Sequence, residues 1–396
     1  MAGATDVNLS ATVRWLAMRL RLALERLAPP RDAERRRLVS VDAVRALAIA
    51  GMLMVNNEAH GVEGELQFHH VGWEGLRFAD AVFPAFLFVA GVSLALSYDR
   101  RGDQPPLKIW THLLSRVVAL ITIGLVLNYY KYGVPLRYAG VLQRIALASL
   151  LAAPLVRKKP VYAVLGAALF LILHTSFLVR AQAPGVVPGS FGGDETSFAF
   201  WLDRTAFGIE HMYKQRLDPE GLLGVLSSAG QVMLGIAAGG IMARWPRNWR
   251  TPAYLFIAGF ALVVAGFALE PYVPIVKKLW TASFVLLTSG LTLMVLMAFY
   301  ALADLYRLER PIAWLAPLGR NALAVYVGSS AMALWLESIV LGQLLREPLT
   351  AYIVLSDGFV AALGDYWGAV AFSGMFVVIW YAIAAALDRS RIYIKL

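Results

Sequence analysis

The 396-residue sequence contains no cysteine. Disulfides, thiolate metal sites and cysteine nucleophiles are therefore excluded, and several enzyme classes with them. Charge is scarce as well: Asp, Glu, Lys and Arg make up 16% of the residues and apolar side chains 59%, with a mean hydropathy of +0.62. Soluble domains carry about a quarter charged residues, so water cannot be the main solvent of this chain. There is no secretory signal core, no second soluble domain and no fixed-period repeat. Matched Gly/Pro-broken spans in two halves, the mark of inverted-repeat transporters, are also missing, which disfavours a carrier.

What the sequence does have is a series of apolar runs long enough to cross a bilayer, separated by short polar breaks. They predict an all-α polytopic helix bundle with ten spans: 41–57, 78–98, 109–128, 139–156, 161–180, 222–243, 252–270, 279–302, 319–338 and 366–387. Segment 1–40 holds eight arginines, and the breaks 99–108, 157–160, 244–250, 303–320 and 388–396 hold about three cations each. Basic loops face the cytoplasm, so both termini are expected there. The alternate breaks, 58–77, 129–138, 181–221, 271–278 and 339–365, carry Glu58, Glu63, Glu65, Asp194, Glu210 and Glu220 and are expected outside. The net charge of +10 then follows from orientation against anionic inner-leaflet lipid and calls for no nucleic-acid partner. Segment 9–27 alternates leucines with Arg14, Arg19, Arg21 and Arg26 and reads as an interfacial helix. The Ala28-Pro29-Pro30 break follows it, so 1–36 is taken as a basic cytoplasmic arm and 37–396 as the transmembrane domain.

An ionisable side chain within hydrocarbon costs at least ~2.5 kcal/mol, so each one asks for a partner or a task. Asp42 and Arg45, three apart at the cytoplasmic end of the first span, are placed to pair, either as a structural ion pair or beside a ligand. Asp80, opening the second span, and Arg144, near the outer end of the fourth, fall at one depth and are predicted to meet. Pro84 removes a backbone donor one turn after Asp80 and predicts a bend. Asn56 and Asn57 end the first span, where an amide either caps the helix or donates to a developing oxyanion.

Of the six histidines, His60, His69 and His70 lie among outward carboxylates. They have the ligand types of a zinc site but match no His-x-x-x-His spacing, so no metal is predicted and a catalytic imidazole is preferred. An imidazole either takes a proton from an attacking amine or carries the acyl group itself.

The run Arg37-Leu38-Val39-Ser40-Val41-Asp42-Ala43-Val44-Arg45-Ala46 is followed by Val55-Asn56-Asn57, His70-Val71-Gly72-Trp73-Glu74-Gly75 and Phe78-Ala79-Asp80-Ala81-Val82-Phe83-Pro84. Further blocks are Gly140-Val141-Leu142-Gln143-Arg144, Leu202-Asp203-Arg204, His211-Met212-Tyr213, Asp218-Pro219-Glu220-Gly221, Leu279-Trp280-Thr281 and Asn321-Ala322-Leu323-Ala324-Val325-Tyr326-Val327-Gly328. In this order they resemble the heparan-alpha-glucosaminide N-acetyltransferases, from about Arg37 onward. The resemblance implies a bacterial, inner-membrane enzyme that takes acetyl from cytoplasmic acetyl-CoA and delivers it to the amine of a glucosamine-type sugar outside. It also implies a short basic arm where the animal enzymes carry a large lumenal domain, and a homodimer would fit.

The family's active histidine, in a His-x-x-Trp-x-Gly stretch, falls on His70 and its partner asparagine on Asn56, with Asn57 in reserve. Three more residues than in the animal enzymes separate Asn56 from His70, and Ser329 stands where their Tyr-Val-Gly-His pattern has histidine. Asp42, Arg45, Arg116, Gln143 and Arg144 are assigned to the CoA side, the arginines as phosphate partners. Trp73, Asp80, His211, Tyr213, Asp218, Glu220, Trp280 and Asn321 are assigned to the acceptor, although interfacial anchoring explains the aromatics equally well. The competing readings are an amino-sugar or lipid carrier that makes no bond, and an acyltransferase acting on an oxygen of a surface polysaccharide.

Overall fold

Backbone polar groups have no water to turn to inside a bilayer, so an apolar run satisfies them within one helix. The computed structural model describes residues 38–62, 67–99, 106–192, 195–344 and 347–394, and helices account for most of them. The arm 1–36 and Glu63, Glu65 and Asp194 lie outside the described residues.

In chain order the helices are α1 (Val39–Asn56), α2 (Phe78–Asp99), α3 (Pro106–Tyr132), α4 (Val141–Ala152) and α5 (Pro160–Arg180). A short α6 (Phe198–Phe207) precedes α7 (Leu222–Arg244), α8 (Arg250–Leu269) and α9 (Ala282–Phe299). Two small turns, α10 (Arg310–Ala313) and α11 (Ala316–Arg320), lead into α12 (Ala322–Ser338). An antiparallel hairpin of β1 (Val340–Leu344) and β2 (Glu347–Thr350) then enters α13 (Ala351–Arg389). Eight of these, α1, α2, α3, α5, α7, α8, α9 and α13, are long and apolar enough to cross a membrane, while α4 with its extension to Leu155 and α12 are shorter apolar helices. α2 runs unbroken through Pro84.

α7 is the axial helix. Most of its residues are buried, and it packs against α2, α4, α5, α6 and α9. Lipid tails are as apolar as leucine, so this association rests on close van der Waals fit, which small residues permit. Gly235 and Gly239 on α7 and Gly91 on α2 supply it: a Cβ at Gly91 would strike the carbonyl of Val232, and one at Gly235 the carbonyl of Phe88. Gly259 and Gly290 let α8 and α9 approach in the same way.

Two breaks read as loops contain helix. Segment 181–221 includes α6, whose N-cap hydroxyl, Ser197, accepts from the Phe200 amide. Segment 339–365 holds the hairpin and the first part of α13, started by Thr350 accepting from the Ile353 amide at 3.3 Å and interrupted at Gly364 (φ 77°). Up to that break the helix folds back, so that a Cβ at Gly368 would meet the backbone of Val360. About thirteen residues are too few to span, so a hydropathy pattern tuned to crossings passes over them.

Candidate active site

The long connection between α1 and α2 is zipped to the connection between α8 and α9. Gly75 donates its amide to Ile275 at 2.9 Å, Glu74 bridges Val276, and Lys278 donates to the Gly72 carbonyl at 2.9 Å while lying 5.3 Å over the Trp73 ring. Gly75 adopts φ 108°, a conformation L side chains rarely take, which accounts for glycine at the end of the His-x-x-Trp-x-Gly stretch. Trp73 donates its indole N–H to the Phe191 carbonyl at 2.9 Å. On the other side α13 holds the same connection, with Ser356 accepting from the His60 amide and Tyr352 donating to the Glu58 carbonyl. His60 pairs with Asp357 at 3.6 Å, so it turns toward α13, whereas His70 turns toward α2.

His70 stands at the centre of this zip. Its Nδ1 lies 2.8 Å from Asp80 Oδ1, and its side chain is 42% exposed where that of Asp80 is 1% exposed. The buried carboxylate is tied down by the amides of Val71 (3.2 Å) and Arg77 (3.1 Å), so it holds the ring and not the reverse. An Nδ1–H donated to Asp80 leaves the Nε2 lone pair available as a base. Lys277, from the α8–α9 connection, brings its Nζ to 2.8 Å from Nδ1, 3.1 Å from Nε2 and 3.5 Å from Asp80 Oδ1. Burial pushes the Lys277 ammonium below its ordinary range, with Asp80 and Glu220 opposing the shift. The expected Asp80–Arg144 pair is not formed: Asp80 takes His70 and Lys277, and Arg144 donates to the Gly221 carbonyl and stacks 4.8 Å over Trp280.

At the end of α1, Asn57 is buried and spends its amide on the Leu53 carbonyl at 2.7 Å, a helix-ending contact. Asn56, one residue earlier, is exposed and free of that contact.

The residues assigned to the acceptor divide. Asp218 is buried and saturated, accepting from Arg137 Nε (2.8 Å) and Nη2 and from the amides of Tyr213 and Glu220. Arg137, which sequence reasoning missed, also reaches Glu220 and lies over the rings of Tyr132 and Tyr213. Burial works against its charge, but the Asp218 hydrogen bond and the Glu220 and Asp218 charges hold it above its usual range. This cluster clamps the α3–α4 connection to the start of α7, so Asp218 and Tyr213 serve the clamp. His211 stacks 4.2 Å from Tyr138 and bonds the Leu136 carbonyl at 2.7 Å in the same clamp. Trp280 is fully buried against Phe83 and Phe284, its N–H on Gln231, and offers no face to a ligand. Glu220 keeps partial exposure, pairs with Arg137 in the clamp and acts electrostatically on Lys277.

Asn321 is out of place as an acceptor residue. It lies at the α11–α12 junction and accepts from the Ile394 amide, at the end of the bundle away from His70. There a cavity of about 480 Å³ opens, lined by Asp42, Arg45, Arg116, Arg247, Arg320 and His112 among others. Asp42 pairs with Arg45 at 3.3 Å as expected and with Arg320 at 3.4 Å, and Arg45 also donates to the Gly319 carbonyl and Ser93. Apolar walls from α1, α2 and α4 carry the cavity up to Met52, Phe86, Val141 and Leu142. Neither Gln143 nor Arg144 enters it. Gln143 is enclosed beside Gly124 and Gly140, with no partner for its amide among the described residues, because the face of α4 that lines the cavity carries Leu142 and Ile145 instead.

The residues that sequence reasoning passed over are thus Lys277, Arg137, Arg247 and Arg320. The Lys277-Lys278 doublet was the available signal, two cations in a connection otherwise assigned to the cation-poor side.

Residues 37–196 match the family described as heparan-alpha-glucosaminide N-acetyltransferase, catalytic. The mouse heparan-alpha-glucosaminide N-acetyltransferase is 29% identical over 362 residues, covering 76% of this chain and 54% of the relative. The human protein of the same name is 28% identical over 352 residues, covering 74% and 52%. The chain spans about half the length of these curated relatives. The matched segment contains Asn56, His70 and Asp80, and the ordered blocks outside it lie further along the chain. The chain is thus similar to the heparan-alpha-glucosaminide N-acetyltransferases, over the catalytic segment by the family match and over about three quarters of its length by the curated relatives.

Proposed function

We propose that this chain is a transmembrane N-acetyltransferase that takes acetyl from acetyl-CoA at the arginine-lined end of the bundle and passes it to the amine of a glucosamine-type sugar at the His70 end. The observation that carries the reading is the His70 imidazole, oriented by a buried carboxylate inside the segment that matches the family. A base held this way removes the proton from an amine as it attacks a thioester carbonyl, the amine taking the place beside Nε2 where Lys277 now stands. Asn56, exposed at the end of α1, is the amide available to the developing oxyanion, and Asn57 is committed to its own helix. Direct transfer and a brief acetyl-imidazole are both open to this geometry.

The donor end is supported by the cavity. Its volume falls in the range of small-molecule sites, and Arg45, Arg116, Arg247 and Arg320 suit phosphates, which guanidinium groups bind by paired donors. The cavity wall ends at Met52, about one helical turn before Asn56, so the thioester arm of CoA has to extend along α1 to meet His70. The basic breaks support a cytoplasmic side for the arginine-lined end and both termini, and on this reading α4 and α12 join the eight long apolar helices as crossings of a bacterial inner membrane. No metal has a part in this scheme.

Purified protein given acetyl-CoA and glucosamine should release CoA and form N-acetylglucosamine, identified by mass spectrometry. A carrier releases no CoA, and acetylation of an oxygen yields an alkali-labile ester. Either result replaces the proposal.

A further inference from the structure

The position of Lys277 has a meaning beyond support of the site. A sugar amine waiting to be acetylated must bring its nitrogen within hydrogen-bonding distance of the base that deprotonates it, beside carboxylates that welcome its ammonium form. Lys277 Nζ meets those conditions, standing 2.8 and 3.1 Å from the two ring nitrogens of His70 and 3.5 Å from Asp80. It is also a primary amine, chemically the same nucleophile as the acceptor.

We propose that Lys277 occupies the acceptor-amine position and is itself an acetyl acceptor, so that the enzyme acetylates its own Lys277 when an acetyl thioester is bound and no sugar is present. The inference rests on the acetyltransferase reading above. The neutral amine attacks the thioester carbonyl, the C–N bond forms and the C–S bond breaks. The proton lost by the nitrogen passes through His70 to the departing thiolate, giving an amide on Lys277 and a free thiol. Burial, which favours the uncharged amine, makes Lys277 a better nucleophile than a solvated lysine. An amide does not return the acetyl group, so the modified enzyme is spent. A bound sugar amine, by displacing Lys277 from His70, protects it.

Lys278 provides the internal comparison, since it is the next residue and its Nζ is turned to the Gly72 carbonyl. The full-length protein in detergent is incubated with acetyl-CoA, with and without glucosamine, then digested and mapped by mass spectrometry, while CoA release with glucosamine is followed on the same preparation. Acetyl is expected on Lys277 well ahead of Lys278, suppressed by glucosamine, and slowed by about 100-fold in His70→Ala, the usual share of a general base. Lys277→Arg is expected to survive preincubation with acetyl-CoA without the progressive inactivation of the wild type. Turnover of glucosamine with Lys277 unmodified, or modified no faster than Lys278 or equally in His70→Ala, overturns the inference and leaves the acetyltransferase reading standing. Neither turnover nor modification overturns both.

Discussion

His70 has no fixed identity as acid or base until its neighbours assign one, and Asp80 does so from a buried, twice amide-bonded position. Replacing His70 by Ala should lower kcat by about 100-fold or more while isothermal titration still detects acetyl-CoA, because the cavity proposed for it is not lined by His70. Activity within about tenfold of wild type would remove the imidazole from the chemistry. A second residue bears on stability. Asp203 accepts from the Leu222 amide at 2.8 Å at the head of α7, and burial pushes its carboxyl up to about 7. A carboxyl raised on folding binds more protons in the folded state, so its contribution is fully present below about pH 4 and is lost as pH rises through about 7. Melting scans should therefore show wild type losing stability from about pH 4 to about pH 7 relative to Asp203→Asn, which keeps the acceptor and drops the titration.

Helix contacts in this bundle are set by what is missing from the side chains as much as by what is present. Gly235→Leu drives a side chain into the Phe88 carbonyl of α2 and should cost about 3 kcal/mol or more, read as a lower melting temperature and a lower yield of monodisperse protein. Gly374, on α13, has open space within 4 Å of where a Cβ would stand, and Gly374→Ala should be neutral or add about 0.5–1 kcal/mol. If both glycines behaved alike, close approach would not be what holds α2 against α7. The spans themselves were legible in the sequence because hydrocarbon imposes a length and an apolar content on each. The hairpin and the helix over 351–363 were not, since their stability comes from folding back on the rest of α13 and not from crossing.

At the scale of the molecule, the two ends of the bundle differ in charge and in the chemistry they offer. One end gathers Arg45, Arg116, Arg247 and Arg320 around the cavity, and the other holds His70 between Asp80 and Lys277. Arg116→Ala should raise the KM for acetyl-CoA by about tenfold, as expected for loss of a charge-assisted contact of ~1.5 kcal/mol, and leave the KM for glucosamine unchanged. An equal effect on both substrates would mean that the two ends do not serve separate ligands.

By itself the sequence determined that this chain is a series of apolar helices, eight of them among the described residues long enough to cross a membrane, and it named His70 and Asp80, which the structure joins, without joining them itself. Those are properties of runs and local motifs, and each can be read along one dimension. Only the tertiary structure decided who meets whom. Asp80 and Arg144, expected at one depth, take different partners, and the carboxylate finds a lysine far along the chain, carried in by a connection zipped to its own. The apolar length of a span is written in the chain, whereas the partners of a residue are settled by packing, which brought Lys277 to His70 through two joined connections and kept Trp280, Asp218 and Gln143 in the core.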